Sequence, residues 1–207
     1  MTKPVLYDIS PPLDGRIAVW PGDIPFKRET ALDHASDDCV LSAIHTTLHV
    51  GAHADAFCHT IAGAASIDEM KLEPYLGPCQ VIRARVARGH AITPADLPTP
   101  LDAPRILIAT GTYPDPTRFN KDFAALSMEL AYMLHETGVL LVGLDTPSVD
   151  RFASVDFPVH RHLARAGVAS LEGLCLDSVP PGMYELIALP LRVAGGDAGP
   201  VRAVLRG

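Results

Sequence analysis

The sequence contains few cysteines, and no two of them lie close together in the chain. Cys39, Cys58, Cys79 and Cys175 lie far apart and form no C-x-x-C motif. This spacing fits neither a disulfide framework nor a zinc site built on thiolates. We therefore expect free thiols and a location in the reducing cytoplasm.

Long apolar runs and an excess of basic residues are also missing. No stretch reaches the roughly 18 apolar residues of a membrane span, and residues 1–8 lack the basic and apolar parts of an export signal. The formal net charge is −7, so the average surface repels nucleic acid and anionic membranes. We expect neither as a partner, and a small-molecule substrate is the more natural ligand.

The length and composition suit one domain over residues 1–207, because 48% of the residues are hydrophobic and can form a sizeable core. Short runs of β-branched and aliphatic residues, separated by proline and glycine, outnumber helical patterns. They predict strands at residues 5–10, 26–30, 40–50, 80–86, 105–110, 139–144, 168–171 and 186–193. The expected class is therefore a sheet-rich α/β or α+β domain with few helices.

Two segments carry clear helix signals. Ser127 is a typical N-cap, and the amphipathic stretch after it stops at Gly138, a typical helix end. A second helix is predicted over residues 158–166, immediately before Gly167.

The most informative segment is His49-Val-Gly-Ala-His53-Ala-Asp55-Ala-Phe-Cys-His59, which holds three of the nine histidines. Imidazole and carboxylate groups bind zinc, manganese and similar divalent ions. A lone histidine is usually a core or surface residue, but this density next to small residues favours a metal site. A ligand set of histidine and carboxylate without thiolate favours a catalytic site with an open coordination position over a structural one.

Backbone geometry limits how this segment can bind an ion. Alternating apolar and polar residues predict that residues 40–50 form a half-buried strand with its histidines on the polar face. A straight strand would hold the Cα atoms of His49 and His53 about 13 Å apart. A continuous helix would instead turn Asp55 away from both. The chain must bend between the two histidines, and Gly51 permits that bend.

These residues resemble the motif H-x-G-T-H-x-D-x-P-x-H of the cyclase family of metal-dependent hydrolases, and within it the bacterial kynurenine formamidases. The four polar positions and the glycine are present, while Ala52 and Phe57 replace the usual threonine and proline. Further segments are similar in the same order, and matches span about residues 5–190: Trp20-Pro-Gly-Asp23, Asp145-Thr-Pro-Ser-Val-Asp150, Phe157-Pro-Val-His160 and Leu171-Glu172-Gly-Leu.

The resemblance implies the family's swivelling β/β/α fold, assembled as a homodimer or a higher homo-oligomer. It further implies that metal-activated water hydrolyses the aryl formamide N-formyl-L-kynurenine to L-kynurenine and formate. The alternatives are a sibling enzyme that opens a cyclic amide such as isatin, and a non-enzymatic metal-binding protein. The sequence contains no G-x-S-x-G motif, so it does not predict a serine α/β-hydrolase.

The resemblance also implies two divalent ions per subunit, with zinc the expected metal. The implied ligands are His49, His53 and Asp55 for the first ion, and Asp55, His160 and Glu172 for the second. The implied general acid/base is His59, and Trp20 is the implied contact for the aryl ring.

Without the resemblance, the sequence allows other roles for several of these residues. His59 could be a ligand instead of an acid/base. His162 lies two positions after His160 on the same predicted helix, and either ring could face solvent. Glu172 could lie exposed at a sheet edge, although a buried unpaired carboxylate would be costly. Trp20 could be a buried anchor.

Turn chemistry accounts for two further segments. Pro21 and Gly22 suit the central positions of a type II turn directly after the tryptophan. Asp145, Ser148 and Asp150 surround a proline and are interpreted as turn formers.

Overall fold

One large mixed sheet organises the chain. The computed structural model describes residues 4–98 and 100–207, so the predictions for residues 1–3 lie outside it. The strands are β1 (Leu6–Asp8), β2 (Lys27–Leu32), β3 (Leu41–His45), β4 (His53–Asp55), β5 (Leu76–Arg83), β6 (Ala91–Ile92), β7 (Arg105–Ala109), β8 (Ala125–Leu126), β9 (Leu141–Leu144), β10 (Ala169–Glu172), β11 (Gly182–Ile187), β12 (Ala198–Pro200) and β13 (Val204–Arg206). The α-helices are α1 (Met128–Glu136) and α2 (Pro158–Ala166), and short 3-10 turns cover Phe57–His59, Glu73–Tyr75 and Pro94–Asp96.

Nine of these strands form a single sheet in the order β1-β13-β11-β5-β7-β9-β10-β4-β12. The central strands β5, β7, β9 and β10 are parallel, and antiparallel strands flank them on both sides. Strands β2 and β3 form a separate antiparallel arm, and β6 and β8 form a short parallel pair. The expected sheet-rich α/β class with few helices is confirmed. No helix in the described ranges is long and apolar enough to cross a membrane.

Both predicted helices are confirmed, and their ends have the expected chemistry. The Ser127 hydroxyl accepts a hydrogen bond of 3.1 Å from the backbone N–H of Leu130, which satisfies a free N–H of the first turn of α1. After α1, Gly138 has a φ of 77°, and after α2, Gly167 has a φ of 73°. Glycine adopts this left-handed conformation without steric cost, so both helices end there.

Apolar side chains form two cores, one on each face of the sheet. On β7, Leu107 belongs to the first core while Ile106 and Ile108 belong to the second, because successive side chains in a strand point to opposite faces. The second core also includes Leu130 of α1 and Leu163 of α2. The two helices therefore cover this second face.

The same alternation orients the histidine-containing strand β4. Ala54 of β4 and Leu171 of β10 belong to the first core, so their neighbours His53, Asp55 and Glu172 point towards the helix-covered face. The antiparallel register of β4 and β10 pairs Glu172 with His53. Sheet pairing thus brings together two segments that are far apart in the sequence.

The predicted strand over residues 40–50 is wrong in its length and its burial. Strand β3 ends at His45 and pairs only with β2. Val40 and Ile44 are 55% and 64% exposed, because neither face of the arm packs on the large sheet. His49 follows in an irregular segment instead of a strand. The predicted bend is confirmed, since Gly51 has a φ of 58°.

Strand prediction also failed near the carboxyl end of the chain. The predicted strand at residues 186–193 lies earlier, because β11 covers Gly182–Ile187 and its register is set by pairing with β5 and β13. Strands of two or three residues, such as β4, β6, β8, β12 and β13, were not predicted. They are too short to show a periodic pattern.

Arg105 stabilises the start of β7 from inside the protein. Its side chain is buried, and its guanidinium donates hydrogen bonds to the carbonyl oxygens of Pro74 at 2.7 Å, Pro78 at 3.2 Å and Glu73. These bonds join β7 to the segment that precedes and begins β5. A buried cation whose hydrogen bonds are made is tolerated, whereas unpaired buried carbonyls are costly.

We expect Arg105→Met to lower the free energy of unfolding by about 2 to 4 kcal/mol, because three carbonyls lose their charged donor. Chemical denaturation measures this change. Arg83→Met is the matched control, since Arg83 is exposed and donates one hydrogen bond, to the carbonyl of Asp177. An equal loss of stability in both variants would contradict the role given to Arg105.

Candidate metal centre

Asp55 lies at the centre of a cluster of imidazole and carboxylate groups. Its Oδ1 lies 3.1 Å from Nδ1 of His49 and 3.5 Å from Nε2 of His53, and its Oδ2 lies 3.2 Å from Nε2 of His160. The Glu172 carboxylate lies 3.4 Å from Nε2 of His53 and 3.2 Å from Nε2 of His160. The structure thus brings together five of the residues that the sequence singled out.

These five residues form two groups with the spacing of metal ligands. One group is His49, His53 and Asp55, and the other is Asp55, His160 and Glu172. Within each group the candidate ligand atoms lie within 4.8 Å of one another. The two groups share Asp55, whose two oxygens face different histidines. Asp55 could therefore serve as a ligand in either group.

Unpaired atoms within the cluster fit a metal cofactor. Nε2 of His53 and Oδ1 of Asp55 are buried and make no hydrogen bond within the part of the protein that the structure describes. A buried polar atom left unpaired costs about 1 to 3 kcal/mol. Imidazole nitrogen and carboxylate oxygen are ordinary ligands of divalent transition metals, so this donor set fits such an ion.

Close contact between two backbone segments places His53 and Glu172. Nδ1 of His53 lies 3.0 Å from the carbonyl oxygen of Gly51, which leaves Nε2 pointing into the cluster. Gly173 packs against this same carbonyl: a Cβ atom at Gly173 would lie 2.2 Å from it. Gly173 also has a φ of 67°. Only glycine fits here, because any side chain would separate the segments that carry the two ligands.

Asp150 holds the ring of His160 from the side away from the cluster. Its Oδ2 lies 2.7 Å from Nδ1 of His160 and accepts the backbone N–H of the same residue at 3.1 Å. Its Oδ1 accepts the N–H of Val159 at 3.2 Å. Carboxylates that bind the remote nitrogen of a ligand histidine fix its tautomer and orientation. The interpretation of Asp150 as a turn former missed this contact, which depends on how α2 packs.

For both Asp55 and His53, burial and the neighbouring side chains shift the pKa in opposite directions. Burial acts to raise the pKa of Asp55, but the neighbouring imidazoles of His160, His49 and His53 outweigh it and leave this pKa well below its ordinary value. Burial acts to lower the pKa of His53, but Asp55 and Glu172 raise it to about 10. The carboxylates therefore stabilise positive charge at the position where a divalent cation would bind.

His59 lies at the edge of the cluster. Its ring centroid is 4.4 Å from that of His49 and 5.7 Å from that of His160. Burial lowers the pKa of His59, which favours the neutral imidazole that is able to accept a proton. Its side chain is 27% exposed, so the ring remains open to a ligand.

Asp197 is a neighbour of the cluster that the sequence did not predict. Its Oδ2 lies 3.2 Å from Nε2 of His49 and 4.0 Å from Nδ1 of His59. The residue follows two glycines and belongs to no recognisable motif, so no pattern could have indicated it. Antiparallel pairing of β12 with β4 brings this segment beside the histidines.

The structure resolves two of the alternatives that the sequence left open. His160 is buried in the cluster, whereas His162 packs against Tyr132 of α1 with ring centroids 4.2 Å apart. Residues two apart on an α-helix point in nearly opposite directions, which explains the separation. Glu172 is only 3% exposed, so the exposed-edge interpretation is wrong. Its carboxylate also accepts the backbone N–H of Val149 at 2.7 Å.

A cavity of about 730 Å³ adjoins the cluster. Its volume suits a small organic molecule. The cavity is lined on the polar side by His49, His53, His59, His160 and Glu172, and its aromatic lining includes Trp20, Tyr113, Phe119 and Phe157.

Trp20 both lines this cavity and anchors a turn. Its ring packs at centroid distances of 4.9 Å from Phe152 and 5.4 Å from Phe119. The N–H of Asp23 donates to the Trp20 carbonyl at 2.9 Å, and Gly22 has a φ of 104°, which confirms the predicted turn. The half-buried indole is therefore held in place while one part of it faces the cavity.

Comparisons with known sequences identify the family of this chain. The model of a family described as putative cyclase matches residues 7–151. A kynurenine formamidase from Polaromonas naphthalenivorans (strain CJ2) is 42% identical over 205 residues, which cover 97% of this chain and 90% of that protein. A kynurenine formamidase from Bordetella petrii is 43% identical over 204 residues and 97% of both chains.

Solved structures share the fold. A protein described as a potential metal-dependent hydrolase with cyclase activity superposes with a TM-score of 0.85 at 29% identity, covering 98% of both chains. Isatin hydrolase A from Labrenzia aggregata, bound to benzyl benzoate, superposes with a TM-score of 0.81 over 98% of this chain and 93% of that chain. At 24% identity, this second similarity shows a common fold alone.

We expect Asp150→Asn to weaken zinc binding about 10- to 100-fold, because an amide cannot hold the His160 ring with the charge of a carboxylate. Calorimetric titration of the metal-free protein with zinc measures the affinity. Asp156→Asn is the control, since Asp156 is exposed on the same loop. Unchanged affinity in Asp150→Asn, with the fold verified by circular dichroism, would contradict this role.

Proposed function

Because this chain belongs to the putative cyclase family, we propose that it is a metal-dependent amide hydrolase that converts N-formyl-L-kynurenine to L-kynurenine and formate. The observation that carries this proposal is a pair of ligand groups that share Asp55 beside a cavity of small-molecule size. Relatives at 42% and 43% identity, each covering 97% of the chain, are named kynurenine formamidase.

We assign His49, His53 and Asp55 to one divalent ion, and Asp55, His160 and Glu172 to a second, with zinc as the metal. The grouping of their candidate ligand atoms and the unpaired atoms of His53 and Asp55 support this assignment. When bound, such an ion supplies a nucleophile at neutral pH by lowering the pKa of water to about 7, and it stabilises negative charge on a carbonyl oxygen.

His59 is the proposed proton carrier. Hydrolysis adds water to the formyl carbon and breaks its bond to the aniline nitrogen, which must gain a proton to depart. His59 borders the cavity, its pKa is lowered by burial, and its Nδ1 is the nitrogen nearer Asp197. The His59 imidazole is therefore the group that takes a proton from water and passes it to the leaving nitrogen.

Trp20 is the proposed contact for the aryl group. The indole faces the cavity while Phe119 and Phe152 hold it in place. Stacking of two aromatic rings contributes about 1 kcal/mol beyond the area buried. Because the ring is already held by its neighbours, little conformational entropy is lost when the substrate binds.

A homodimer is the proposed assembly, with the arm of β2 and β3 at its interface. Val40, Leu41 and Ile44 are all more than half exposed on this arm. Such a group of apolar side chains is typical of a surface that another chain covers. Light scattering on the purified protein tests the proposal, and a monomeric mass would overturn it.

We also propose that the protein works in the reducing cytoplasm as one domain over residues 1–207. The cysteines support the location, since Cys39, Cys58, Cys79 and Cys175 all remain free thiols. The pairing of β1 with β13 supports the domain assignment, because it joins the two ends of the chain within one sheet. Limited proteolysis tests the single-domain assignment, since cleavage between separate domains would release stable fragments.

The first experiment measures release of L-kynurenine from N-formyl-L-kynurenine by metal-loaded protein, with isatin as a parallel substrate. We expect hydrolysis that a chelator abolishes and zinc restores, because the nucleophile depends on the metal. Rapid opening of isatin without release of kynurenine would reassign the protein to the sibling activity. Loss of the whole fold on chelation, with neither activity, would favour a structural role for the metal.

We expect His59→Asn to lower kcat about 10²- to 10⁴-fold while the zinc content stays at the level of the unmodified protein, because asparagine cannot transfer the proton. Steady-state kinetics and metal analysis of the same preparation measure both quantities. His34→Asn, at an exposed loop position, is the control. If zinc is lost together with activity, His59 is a ligand and its proposed role is wrong.

A further inference from the structure

Phe157 has an unusual backbone conformation. Its φ of 47° and ψ of 53° place it in the left-handed region, and in the described part of the chain it is the one non-glycine residue with positive φ. Bulky side chains are unfavourable there because Cβ approaches the backbone oxygen, whereas glycine adopts this conformation freely. Strain of this kind persists only where the surrounding structure enforces it.

Phe157 is also an unusual helix cap. It is the N-cap residue of α2, a position where serine, threonine, aspartate or asparagine normally accepts a backbone N–H. Its side chain makes no such hydrogen bond. Asp150 accepts the N–H groups of Val159 and His160 instead. Neither backbone preference nor capping explains a phenylalanine at this position.

The location of the Phe157 ring offers the explanation. The ring lines the cavity beside the metal cluster and is 37% exposed. Its centroid lies 6.1 Å from that of His59 and 5.7 Å from that of His160, and both contacts are edge-on. An apolar surface therefore adjoins the two histidines closest to the proposed chemistry.

This aromatic surface is separate from the one that holds Trp20. The ring contacts of Trp20 are with Phe119, Phe123 and Phe152, while those of Phe157 are with histidines of the cluster. The cavity wall therefore has two aromatic parts. The part formed by Phe157 is the one in contact with the proposed proton carrier.

We propose that Phe157 is a specificity-determining residue that packs against the aryl ring of the substrate, next to the bond that is broken. This inference rests on the proposed function, because it concerns the amide that binds beside the metal cluster. The left-handed backbone conformation of Phe157 places its ring at the cavity wall, and its N-cap position on α2 keeps the ring there. Amides whose aromatic ring is attached directly to the amide group are thereby favoured over aliphatic amides.

Binding of two hydroxamates to the zinc-loaded protein tests the proposal without relying on turnover. Benzohydroxamate carries an aromatic ring and acetohydroxamate does not, while both have the same metal-binding group. We expect Phe157→Gly to weaken benzohydroxamate binding about tenfold and to leave acetohydroxamate binding unchanged, because a single aromatic contact is lost. Titration calorimetry measures both affinities.

The choice of variants separates the effect of the Phe157 ring from the effect of its backbone conformation. Glycine accepts the left-handed conformation, so Phe157→Gly should keep or raise the melting temperature. Phe157→Tyr retains a ring and should bind benzohydroxamate like the unmodified protein. Val155→Gly is the matched control, since Val155 is 87% exposed on the same loop. If Phe157→Gly fails to fold, Phe157→Asn replaces it, because asparagine also tolerates this conformation.

Two outcomes would overturn the proposal. Equal weakening of both hydroxamates would mean that the substitution damages the metal cluster, and an unchanged ratio of affinities would mean that the ring contributes no selectivity. The proposed function fails separately, if the unmodified protein does not hydrolyse N-formyl-L-kynurenine. If benzohydroxamate binding still depended on Phe157, the preference for aryl ligands would stand, and the substrate would be another aryl amide.

Discussion

The buried carboxylate of Asp55 is the constraint on which the rest of the site depends. An ionised carboxylate with only 6% exposure is tolerated when cations or strong hydrogen-bond donors surround it. Here His49, His53 and His160 contact its two oxygens from different directions. The same arrangement that stabilises the charge creates two adjacent ligand groups. Stability of the core and affinity for a divalent cation therefore have a common electrostatic origin.

Residues outside the histidine motif give this cluster its geometry. Asp150 fixes the ring of His160, the Gly51 carbonyl fixes that of His53, and the backbone N–H of Val149 fixes Glu172. Gly173 permits the backbones to approach closely enough for these contacts. Four of the candidate ligands, His53, Asp55, His160 and Glu172, lie on strands or a helix whose other faces belong to apolar cores, so their side chains have little freedom to reorient. Such preorganisation favours catalysis, because little rearrangement remains when the substrate binds.

The cavity connects this cluster to a class of substrate. Its polar side is the candidate metal centre, while Trp20 and Phe157 form two separate aromatic parts of its wall. An aryl amide matches both features, since its carbonyl needs an electrophile and its ring needs an apolar surface. The family model that matches is described as putative cyclase, and two relatives that each cover 97% of this chain are named kynurenine formamidase.

Local sequence determined the two helices, the bend at Gly51, the turn after Trp20 and the chemical type of the site, because caps, glycine conformations and ligand chemistry act over a few residues. Only the tertiary structure decided that β3 stops at His45, that His160 and not His162 joins the cluster, and that Asp150 and Asp197 contact it. At the cluster, strand pairing and helix packing bring together residues up to 148 positions apart, as with His49 and Asp197. No periodicity within a single segment carries that information, since it arises from which surfaces are buried together.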